Sequence, residues 1–410
     1  MWDRILDHML GQFVKAGTLV LRLPDGTILR HGDGTGPEVA VTLTDPGLPA
    51  KLVRNPDLAL GEAYMAGTLV IDGDDLHGLL TLTIRNSTET GRIWWQRAAG
   101  KAREALKFLS QFNPTTRARR NVAHHYDLSG ELYDLFLDAD RQYSCGYFKQ
   151  PTDTLEQAQA QKKAHIAAKL RIEPGMRVLD IGCGWGGLGL TLARDYGAQV
   201  LGVTLSAEQH KIARHRAEMA GLAGQVDFRL TDYRHVTGQF DRVVSVGMFE
   251  HVGVPHYREY FRHVAARLSP DGVALIHTIG RASPPGYTSP WITKYIFPGG
   301  YVPALSELMP AVEHEGLWTT DIEVWRLHYA ETLRHWHDRF VANIDRARTI
   351  YDKRFCRMWR YYLVASELTF RFGRQCVFQV QLAHDQQAVP LTRDYLSTAA
   401  SRPKRIEAAQ

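Results

Sequence analysis

Short runs of alternating hydrophobic and polar residues dominate the first 90 positions of the chain. Such alternation, interrupted by turn residues such as Pro-Asp-Gly, is typical of short β-strands. The pattern predicts two strands around this turn within 18–29, further strands at 39–43 and 67–73, and short helices at 48–53 and 58–65. This small α+β module carries no paired acid–base or metal-ligand spacing. It therefore indicates a binding or assembly domain.

From residue 171 onward, strand-like and helix-like patterns alternate regularly. The predicted strands cover 178–181, 199–203, 226–230, 242–246 and 273–279, and the predicted helices cover 187–196, 206–220 and 256–268. Alternating strand–helix units of this length predict a mostly parallel, doubly wound sheet. A long helical insertion, at about 284–317 and 330–370, precedes a late strand at 376–382, which we expect at the edge of the sheet.

The segment between these two regions, residues 92–112, has the pattern of a basic amphipathic helix. Apolar residues recur at helical spacing, and arginine and lysine residues occupy the other positions. A helix of this kind that carries tryptophan can lie in an anionic membrane interface. It can equally be a linker helix with a solvated basic face, and the pattern alone leaves both interpretations open.

The composition of the 410-residue chain is that of an ordinary globular protein, with 44% hydrophobic and 23% charged residues. No apolar run reaches the roughly 18 residues that span a bilayer, and the N-terminus lacks a signal-peptide pattern. The four cysteines form no C-x-x-C pair, which favours a reducing cytoplasm and argues against structural zinc. The net charge of +5 favours an anionic partner, with nucleic acid and anionic lipid both open at this point.

The sharpest chemical signal is the glycine-rich stretch at 178–187. A strand, a glycine turn and a helix follow one another here, so the backbone can approach a nucleotide closely at a helix N-terminus. Gly182, Gly184 and Gly187 fit the dinucleotide fingerprint, whereas Gly182, Gly184 and Gly186 fit the S-adenosylmethionine (SAM) loop of methyltransferases. A tight turn that binds nothing is the third interpretation.

The end of the second strand in this region helps to choose the cofactor. NAD enzymes place an acidic residue about 20 positions after the glycines to bind the ribose, and this chain has Thr204 there. The ribose of SAM would then be held by Thr204, Gln209 and backbone groups. Asp232 and Tyr233, after the third strand, supply a carboxylate for the adenine amino group and a ring for stacking. The late strand after a helical insertion also favours a methyltransferase.

Polar and aromatic residues crowd the segment 121–150, just upstream of the glycine loop, where a lid over a cofactor would sit. The neighbouring His124 and His125 have no partner at metal-ligand spacing. We interpret them as structural rather than catalytic histidines, and we expect no metal site.

Six short motifs follow one another along the chain: Tyr143-Ser-Cys-Gly-Tyr, Leu179-Asp-Ile-Gly-Cys-Gly-Trp-Gly, Thr204-Leu-Ser, Gly247-Met-Phe-Glu-His-Val-Gly, His277-Thr-Ile-Gly and Lys294-Tyr-Ile-Phe-Pro. In this order they resemble the cyclopropane-fatty-acyl-phospholipid synthases and their mycolic acid relatives, over nearly the whole chain. The resemblance implies a Rossmann-like SAM-dependent methyltransferase fold with helical insertions and a small N-terminal α+β domain. It also implies an activity. The SAM methyl group is transferred to a cis double bond of a phospholipid acyl chain, and loss of a proton then closes a three-membered ring.

The resemblance and the glycine loop together predict the SAM contacts. They are Tyr143, Ser144, Asp180, Gly182, Cys183, Gly184, Gly186, Thr204, Leu205, Gln209, Asp232 and Tyr233.

Ring closure needs a base, and members of this family hold a bicarbonate ion for that purpose. The resemblance carries the ion's contacts over to the Cys145 backbone amide, Glu250, His277, the Ile279 backbone amide and Tyr329. A neutral or cationic His277 and the Tyr329 hydroxyl would donate to the anion. Burial beside the anion is expected to raise the pKa of Glu250, which suits a proton relay.

Attack of an alkene on a sulfonium leaves a carbocation, so the site must be dry, and aromatic rings can stabilise the charge. Aromatic residues at 143, 147, 148, 249, 295, 297 and 301 lie in the matching motifs, and each can equally be core packing. At the late-helix position proposed for a catalytic cysteine in the family, this chain has Ser366, which excludes a thiol there. Cys356 and Cys376 are expected to be packing residues.

We therefore predict a lipid-contacting or dimerising domain at 1–90, a basic linker helix at 91–120, a catalytic domain at 121–395 and a flexible tail at 396–410. The expected protein is a homodimer on the inner face of the cytoplasmic membrane. Its partner is a membrane of unsaturated phospholipids, and it binds no nucleic acid.

Three alternatives remain open. An enzyme of the same family can methylate the alkene without closing a ring, giving a methyl-branched or methylene product. A non-catalytic lipid-binding module can retain a SAM fold, although the joint presence of Glu250, His277 and Tyr329 argues against it. A nucleic-acid methyltransferase fits the basic charge but would need an Asn-Pro-Pro-Tyr type motif, which this sequence lacks.

Overall fold

The structure, a computed structural model, describes residues 1–89 and 130–399. The predicted basic helix at 92–112 and the two histidines His124 and His125 lie outside the described residues, as does the predicted tail from residue 400 onward.

The strands and helices, in chain order, have the following bounds. The strands are β1 (Thr18–Arg22), β2 (Ile28–Gly32), β3 (Glu38–Leu43), β4 (Leu69–Ile71), β5 (Arg177–Ile181), β6 (Gln199–Thr204), β7 (Val226–Leu230), β8 (Phe240–Val246), β9 (Leu268–Arg281), β10 (Trp318–Trp325) and β11 (Gln375–Ala383). The α-helices are α1 (Trp2–Phe13), α2 (Leu48–Arg54), α3 (Pro56–Ala66), α4 (Leu76–Glu89), α5 (Gly130–Asp134), α6 (Leu155–Lys169), α7 (Gly187–Tyr196), α8 (Ala207–Met219), α9 (Tyr257–Arg267), α10 (Pro290–Tyr295), α11 (Leu305–His314), α12 (His328–Ala342), α13 (Ile344–Ile350), α14 (Lys353–Arg371) and α15 (Asp394–Ala399).

The described chain divides into two compact units. The first unit comprises 1–89, 286–298 and 330–375, and the second comprises 130–285, 299–329 and 376–399. Much of the helical insertion therefore belongs to the same unit as the N-terminal segment. No helix among the described residues is long and apolar enough to cross a bilayer.

The first unit contains a four-stranded sheet in the order β2–β1–β3–β4. Strands β1 and β2 are antiparallel across the predicted turn, where Gly26 has a φ of 88° and the Asp25 carboxylate accepts a hydrogen bond from the Thr27 amide at 2.9 Å. Strand β3 runs parallel to β1 and antiparallel to β4. The predicted α+β character of this segment is confirmed, whereas α1 and α4 are helices that the pattern does not predict.

Helix α14 organises the helical side of the first unit, where it packs on α3 and α4. Its buried Glu367 accepts a hydrogen bond from Arg371 at 2.7 Å and lies 3.1 Å from the ring of His77 in α4. In α10, the buried Trp291 ring approaches Gly61 so closely that a Cβ there would lie 2.4 Å from the indole nitrogen. Only glycine permits this approach of α10 to α3.

The second unit is built on a seven-stranded sheet in the order β10–β11–β9–β8–β5–β6–β7. Strands β5 to β9 are joined by parallel pairs, β5 with β6 and β8, β6 with β7, and β8 with β9. The helices α7, α8 and α9 pack against these strands. The predicted doubly wound sheet is therefore confirmed, and its β5 and β8 carboxyl ends meet at the centre of one edge.

The pattern predicts the late strand β11 at the edge of the sheet, and this prediction is wrong. Strand β10 pairs with β11 in antiparallel fashion on the outer side, so β10 is the edge strand. The pattern misses β10 because this strand is polar. Its Glu323 lies 2.6 Å from the ammonium group of the buried Lys169 and 2.7 Å from the ring of His165. Burial opposes the charge of Glu323, but these two partners lower its pKa to about 2.

Candidate active site

The glycine loop after β5 has the backbone geometry that its sequence predicts. Gly182, Gly184 and Gly186 have φ values of 83°, 54° and 83°, in the region that favours glycine. The amides of Gly182 and Cys183 donate to the Val203 carbonyl at 2.9 and 3.0 Å, which anchors the loop to β6. A Cβ at Gly184 would meet no atom within 4 Å, so this side of the loop is open.

One cavity in the second unit collects almost all of the predicted SAM contacts. It is lined by Tyr143, Ser144, Asp180, Gly182, Cys183, Gly184, Thr204, Leu205, Gln209, Asp232 and Tyr233. The exception is Gly186, which lies behind the loop. A Cβ at this position would lie 2.6 Å from the ring of Phe228, so the glycine is needed for packing rather than for contact with a ligand.

Asp180 brings a carboxylate into this cavity without a protein partner for one of its oxygens. Its side chain is buried, and Oδ2 has no hydrogen-bond partner among the described residues. Burial raises the pKa of Asp180 to about 7. Buried polar atoms are almost always hydrogen-bonded, so the orphaned oxygen fits a ligand that brings hydroxyl or ammonium donors, as SAM does.

The residues predicted to contact the ribose and the adenine are held in the cavity wall by hydrogen bonds. Thr204 Oγ1 donates to Gln209 Oε1 at 3.0 Å, which fixes both side chains on the cavity wall. The Asp232 carboxylate accepts from the Arg234 amide at 3.0 Å and from its guanidinium at 2.8 and 2.9 Å. Although burial opposes ionisation, these bonds lower the pKa of Asp232, which therefore stays an acceptor near neutral pH.

Lys162, a buried lysine of α6, also lines the cavity, and no sequence pattern predicts it there. Its ammonium group donates to Gln142 Oε1 at 2.8 Å and to Ser144 Oγ at 2.7 Å, so it holds the segment that carries the Tyr143 motif. Burial lowers the pKa of Lys162 to about 8, against the attraction of Asp138. No periodicity separates it from the exposed residues of the same helix, so the sequence offers no signal for its role.

Glu250 lies in the turn Phe249–His251 that follows β8. Its Oε1 accepts a hydrogen bond from the Ile279 amide at 2.7 Å, and its Oε2 is buried without a hydrogen bond to any part of the chain that the structure describes. Burial raises the pKa of Glu250 to about 7, against the Ile279 amide, which lowers it. The predicted direction of this shift is confirmed. The Ile279 amide, predicted as an anion contact, supplies the donor that this buried carboxylate needs.

His277, on β9, is buried and neutral. Burial keeps its pKa well below the ordinary value, so the cationic form considered from the sequence is disfavoured. The Gln379 side-chain amide donates to the ring nitrogen Nδ1 at 3.0 Å, which leaves the proton of the neutral ring on Nε2. The ring also packs edge-on against Trp325, with the centroids 5.1 Å apart.

Cys145 and Tyr329, the remaining predicted anion contacts, are both buried. Cys145 follows Ser144, whose hydroxyl accepts a hydrogen bond from the Lys162 ammonium group at 2.7 Å. Tyr329 lies next to His328, whose Nδ1 accepts a hydrogen bond from the Phe148 amide at 3.1 Å.

The aromatic residues that were candidates for the walls of the site lie in several different places. Phe249 and Tyr301 belong to the buried core behind the sheet. Tyr147 lies on the His165 ring, with the centroids 4.6 Å apart. Tyr295 and Phe297 belong to the first unit.

All four cysteines are buried, free thiols. Burial raises the pKa of the Cys183, Cys356 and Cys376 thiols, so none of these three is a thiolate nucleophile near neutral pH.

Comparisons with known proteins fit this geometry. Residues 113–380 match the family model described as mycolic acid cyclopropane synthetase, and residues 5–91 match a model described as a domain of unknown function. The cyclopropane-fatty-acyl-phospholipid synthase of Escherichia coli (strain K12) is 38% identical over 377 residues, which cover 90% of each chain. The tuberculostearic acid methyltransferase of Mycobacterium tuberculosis is 36% identical over 391 residues, which cover 87% of each chain. The structure of mycolic acid cyclopropane synthase CmaA1 complexed with SAH and CTAB matches with a TM-score of 0.62 and 30% identity, covering 66% of this chain and 99% of that chain.

Proposed function

Because this chain belongs to the mycolic acid cyclopropane synthetase family and is a SAM-dependent lipid methyltransferase, we propose that it is a cyclopropane fatty acid synthase. Its proposed substrate is a cis double bond in a phospholipid acyl chain. The observation that carries the proposal is Glu250, a buried carboxyl group held by the Ile279 amide and flanked by the cavity residues Met248 and His251. Its pKa of about 7 suits a group that gains and loses a proton in each turnover.

The cavity residues fit SAM in this proposal. When bound, SAM supplies an electrophilic methyl group. Asp180 offers its orphaned oxygen to donors of the ligand, and Asp232, held in place by Arg234, accepts from the adenine amino group. The open space beside Gly184 permits close contact of the ligand with the backbone.

The proposed ring closure turns on the removal of one proton. After the methyl group bonds to one alkene carbon, positive charge develops on the neighbouring carbon. A proton must then leave the added methyl group, so that its C–H electron pair forms the last bond of the ring. We propose that His277 through Nε2–H, the Tyr329 hydroxyl and the Cys145 amide would hold a bicarbonate ion, which when bound would supply the base for this proton. Glu250, positioned by Ile279, would pass the proton on.

We further propose that the protein is a homodimer that acts on the inner face of the cytoplasmic membrane. The net charge of +5 supports an anionic surface as its partner. The domain boundaries near residues 90, 120 and 395 remain proposals of the same kind.

Mass spectrometry of phospholipid acyl chains tests the proposed activity. Purified protein is incubated with SAM and vesicles that contain a monounsaturated phospholipid. The expected product is heavier by one CH₂ group, and NMR shows cyclopropane protons. Glu250→Gln and His277→Ala are expected to abolish the ring signals, whereas Glu313→Gln, a matched change at an exposed carboxylate of α11, leaves them. Unchanged acyl chains with wild-type protein that binds SAM would refute the proposal.

A second candidate is methylation without ring closure. The specific observation that favours it is the tuberculostearic acid methyltransferase, which is almost as similar to this chain as the cyclopropane synthase is. A methylene product has the same mass as the ring, so NMR must separate the two. A saturated methyl branch is heavier by two further hydrogens.

A further inference from the structure

A second cavity, in the first unit, has no part in the proposed chemistry. It has a volume of about 280 Å³ and lies between α3, β4, α13 and α14. Its lining residues are Tyr64, Leu69, Val70, Ile71, Asp74, Ile344, Arg348, Lys353, Cys356, Arg357 and Arg360. We call it the basic pocket.

Positive charge dominates the basic pocket. Lys353, Arg357 and Arg360 recur on one face of α14 at the i, i+4 and i+7 positions, and Arg348 comes from α13. Asp74 is the one carboxylate among the described lining residues, and it forms an ion pair with Arg360 at 2.5 Å. Neither Lys353 nor Arg357 forms an ion pair within the described part of the chain.

One of these cations lies close to a helix terminus. Gly67 ends α3 with a φ of 74°, and a Cβ at this position would lie 2.2 Å from Nη1 of Arg357. The guanidinium group therefore lies over the bare backbone of the helix terminus, half-buried in the pocket wall. Its planar fork can offer a pair of donors to an anion.

The buried wall of the basic pocket adds a neutral donor. Tyr64 is 4% exposed, and its hydroxyl has no hydrogen bond of normal geometry to the residues that the structure covers. Burial, together with the nearby charge of Asp74, raises the pKa of Tyr64 to about 12, so the hydroxyl keeps its proton. The Asp74 carboxylate is within reach of this proton, so the hydroxyl is a neutral donor in the pocket wall.

The mouth of the basic pocket is apolar. Leu69 and Ile71 of β4 are buried, whereas Val70 between them is 45% exposed, and Ile344 is half-buried on the other side. Cations beside exposed aliphatic side chains suit a ligand that has an anionic group next to hydrocarbon.

From these observations we infer that the basic pocket binds the phosphate group of a phospholipid headgroup, with Arg357 and Lys353 as its charged contacts and Tyr64 as a further donor. The choice of a lipid as the source of the phosphate rests on the proposed function, because the substrate there is a phospholipid. The fork of Arg357 matches the paired oxygens of a phosphodiester, and the exposed Val70 meets the glycerol and acyl region. The pocket would hold a lipid molecule by its headgroup, apart from the cavity where methyl transfer occurs.

Vesicle binding tests the inference. The 410-residue protein is titrated with vesicles of phosphatidylcholine and phosphatidylglycerol at fixed salt, without SAM, and bound protein is measured by flotation. Arg357→Gln is expected to weaken binding roughly tenfold, the loss of a charge-assisted pair. Arg354→Gln, the same change on α14 at a residue outside the pocket, is expected to change binding by about fivefold at most, the contribution of one cation to general surface attraction. Arg357→Lys, which keeps the charge but loses the fork, should fall between the two.

Equal losses in Arg357→Gln and Arg354→Gln would overturn the inference, because they would indicate general electrostatic attraction. Unfolding curves of the variants exclude loss of fold as the cause. Calorimetry with inorganic phosphate separates the two sources of phosphate. Binding of inorganic phosphate that Arg357→Gln abolishes, with unchanged vesicle binding, would overturn the lipid assignment. Methyl transfer is measured separately on detergent-dispersed phospholipid, so that failure of the proposed function is distinct from failure of the pocket.

Discussion

Glu250 gives the most direct test of the site, because its charge opposes folding while its carboxyl group is proposed to serve the reaction. Glu250→Gln keeps an oxygen that can accept the Ile279 hydrogen bond and removes the titratable proton. We expect the variant to be inactive in ring closure and, at alkaline pH, more stable than the wild type.

The magnitude follows from the pKa of the buried carboxyl group. Burial moves the pKa from 4.5 to about 7 in the folded protein. Below pH 4.5 the group is protonated in both states and does not oppose folding. As the pH rises towards 7, the unfolded chain ionises first, so the free energy of unfolding of the wild type falls relative to the variant by about 1.4 kcal/mol per pH unit. Above pH 7 the difference levels off at about 3 kcal/mol.

Urea unfolding of both proteins, followed by tryptophan fluorescence and by circular dichroism between pH 4.5 and 9, measures this difference. The analysis requires that the two probes give coincident transitions at each pH. Burial also raises the pKa of Asp180 to about 7. Asp180 is present in both proteins, so its contribution cancels in the difference between their free energies of unfolding. Glu313→Gln, the same change at an exposed carboxylate, is the control. If the free energy of unfolding of Glu250→Gln minus that of the wild type stays flat or falls as the pH rises, the conclusion that burial raises the pKa of Glu250 is refuted.

Further predictions concern the loop, the lysine and the thiol. Gly184→Ala should weaken SAM binding at least roughly tenfold by calorimetry, with the free energy of unfolding lowered by only about 1 kcal/mol. Gly186→Ala, which forces a Cβ against Phe228, should instead lower the free energy of unfolding by about 2–4 kcal/mol in urea; the reverse ranking would contradict the assigned roles. Lys162→Met should lower kcat/KM roughly tenfold or more through the displaced Ser144 segment, and wild-type kcat/KM should change near pH 8 in a way that the variant's does not. Cys145→Ser should keep methyl transfer within about fivefold, because only the backbone amide of this residue is proposed to act; complete loss would implicate the thiol.

The sequence predicts those parts of the second unit where one local pattern determines the structure. The loop after β5 has positive φ values at its glycines, so its conformation can be predicted from the glycines alone, without knowledge of the surrounding structure. The predicted SAM contacts then meet in one cavity because the carboxyl ends of parallel strands converge. Gly186 fits the same motif, but it faces Phe228, and no local pattern distinguishes a packing glycine from a binding glycine.

The features that the sequence does not predict depend on contacts between distant segments. Strand β10 is polar because Glu323 pairs with Lys169, a residue more than 150 positions earlier. In sequence, Lys162 does not differ from other helical lysines. Its role depends on the hydrogen bond to Ser144 in the Tyr143 segment, which only the fold reveals. The engagement of the Ile279 amide with Glu250 likewise depends on the meeting of β9 with the turn after β8.

The construction of the first unit from three separate segments sets an order of events during synthesis. Residues 1–89 leave the ribosome before the other two segments. The contacts of Gly61 with Trp291 and of His77 with Glu367 in α14 can form only after those later segments are made. At translation rates of roughly 5–20 residues per second, the interval before residue 375 is made is roughly 15–60 s. During this time the apolar surface of α3 and α4 that α14 later covers is exposed to solvent. The nascent N-terminal segment is therefore expected to be a client of ribosome-associated chaperones, and premature termination upstream of α14 should yield a product that is degraded rather than a stable N-terminal fragment.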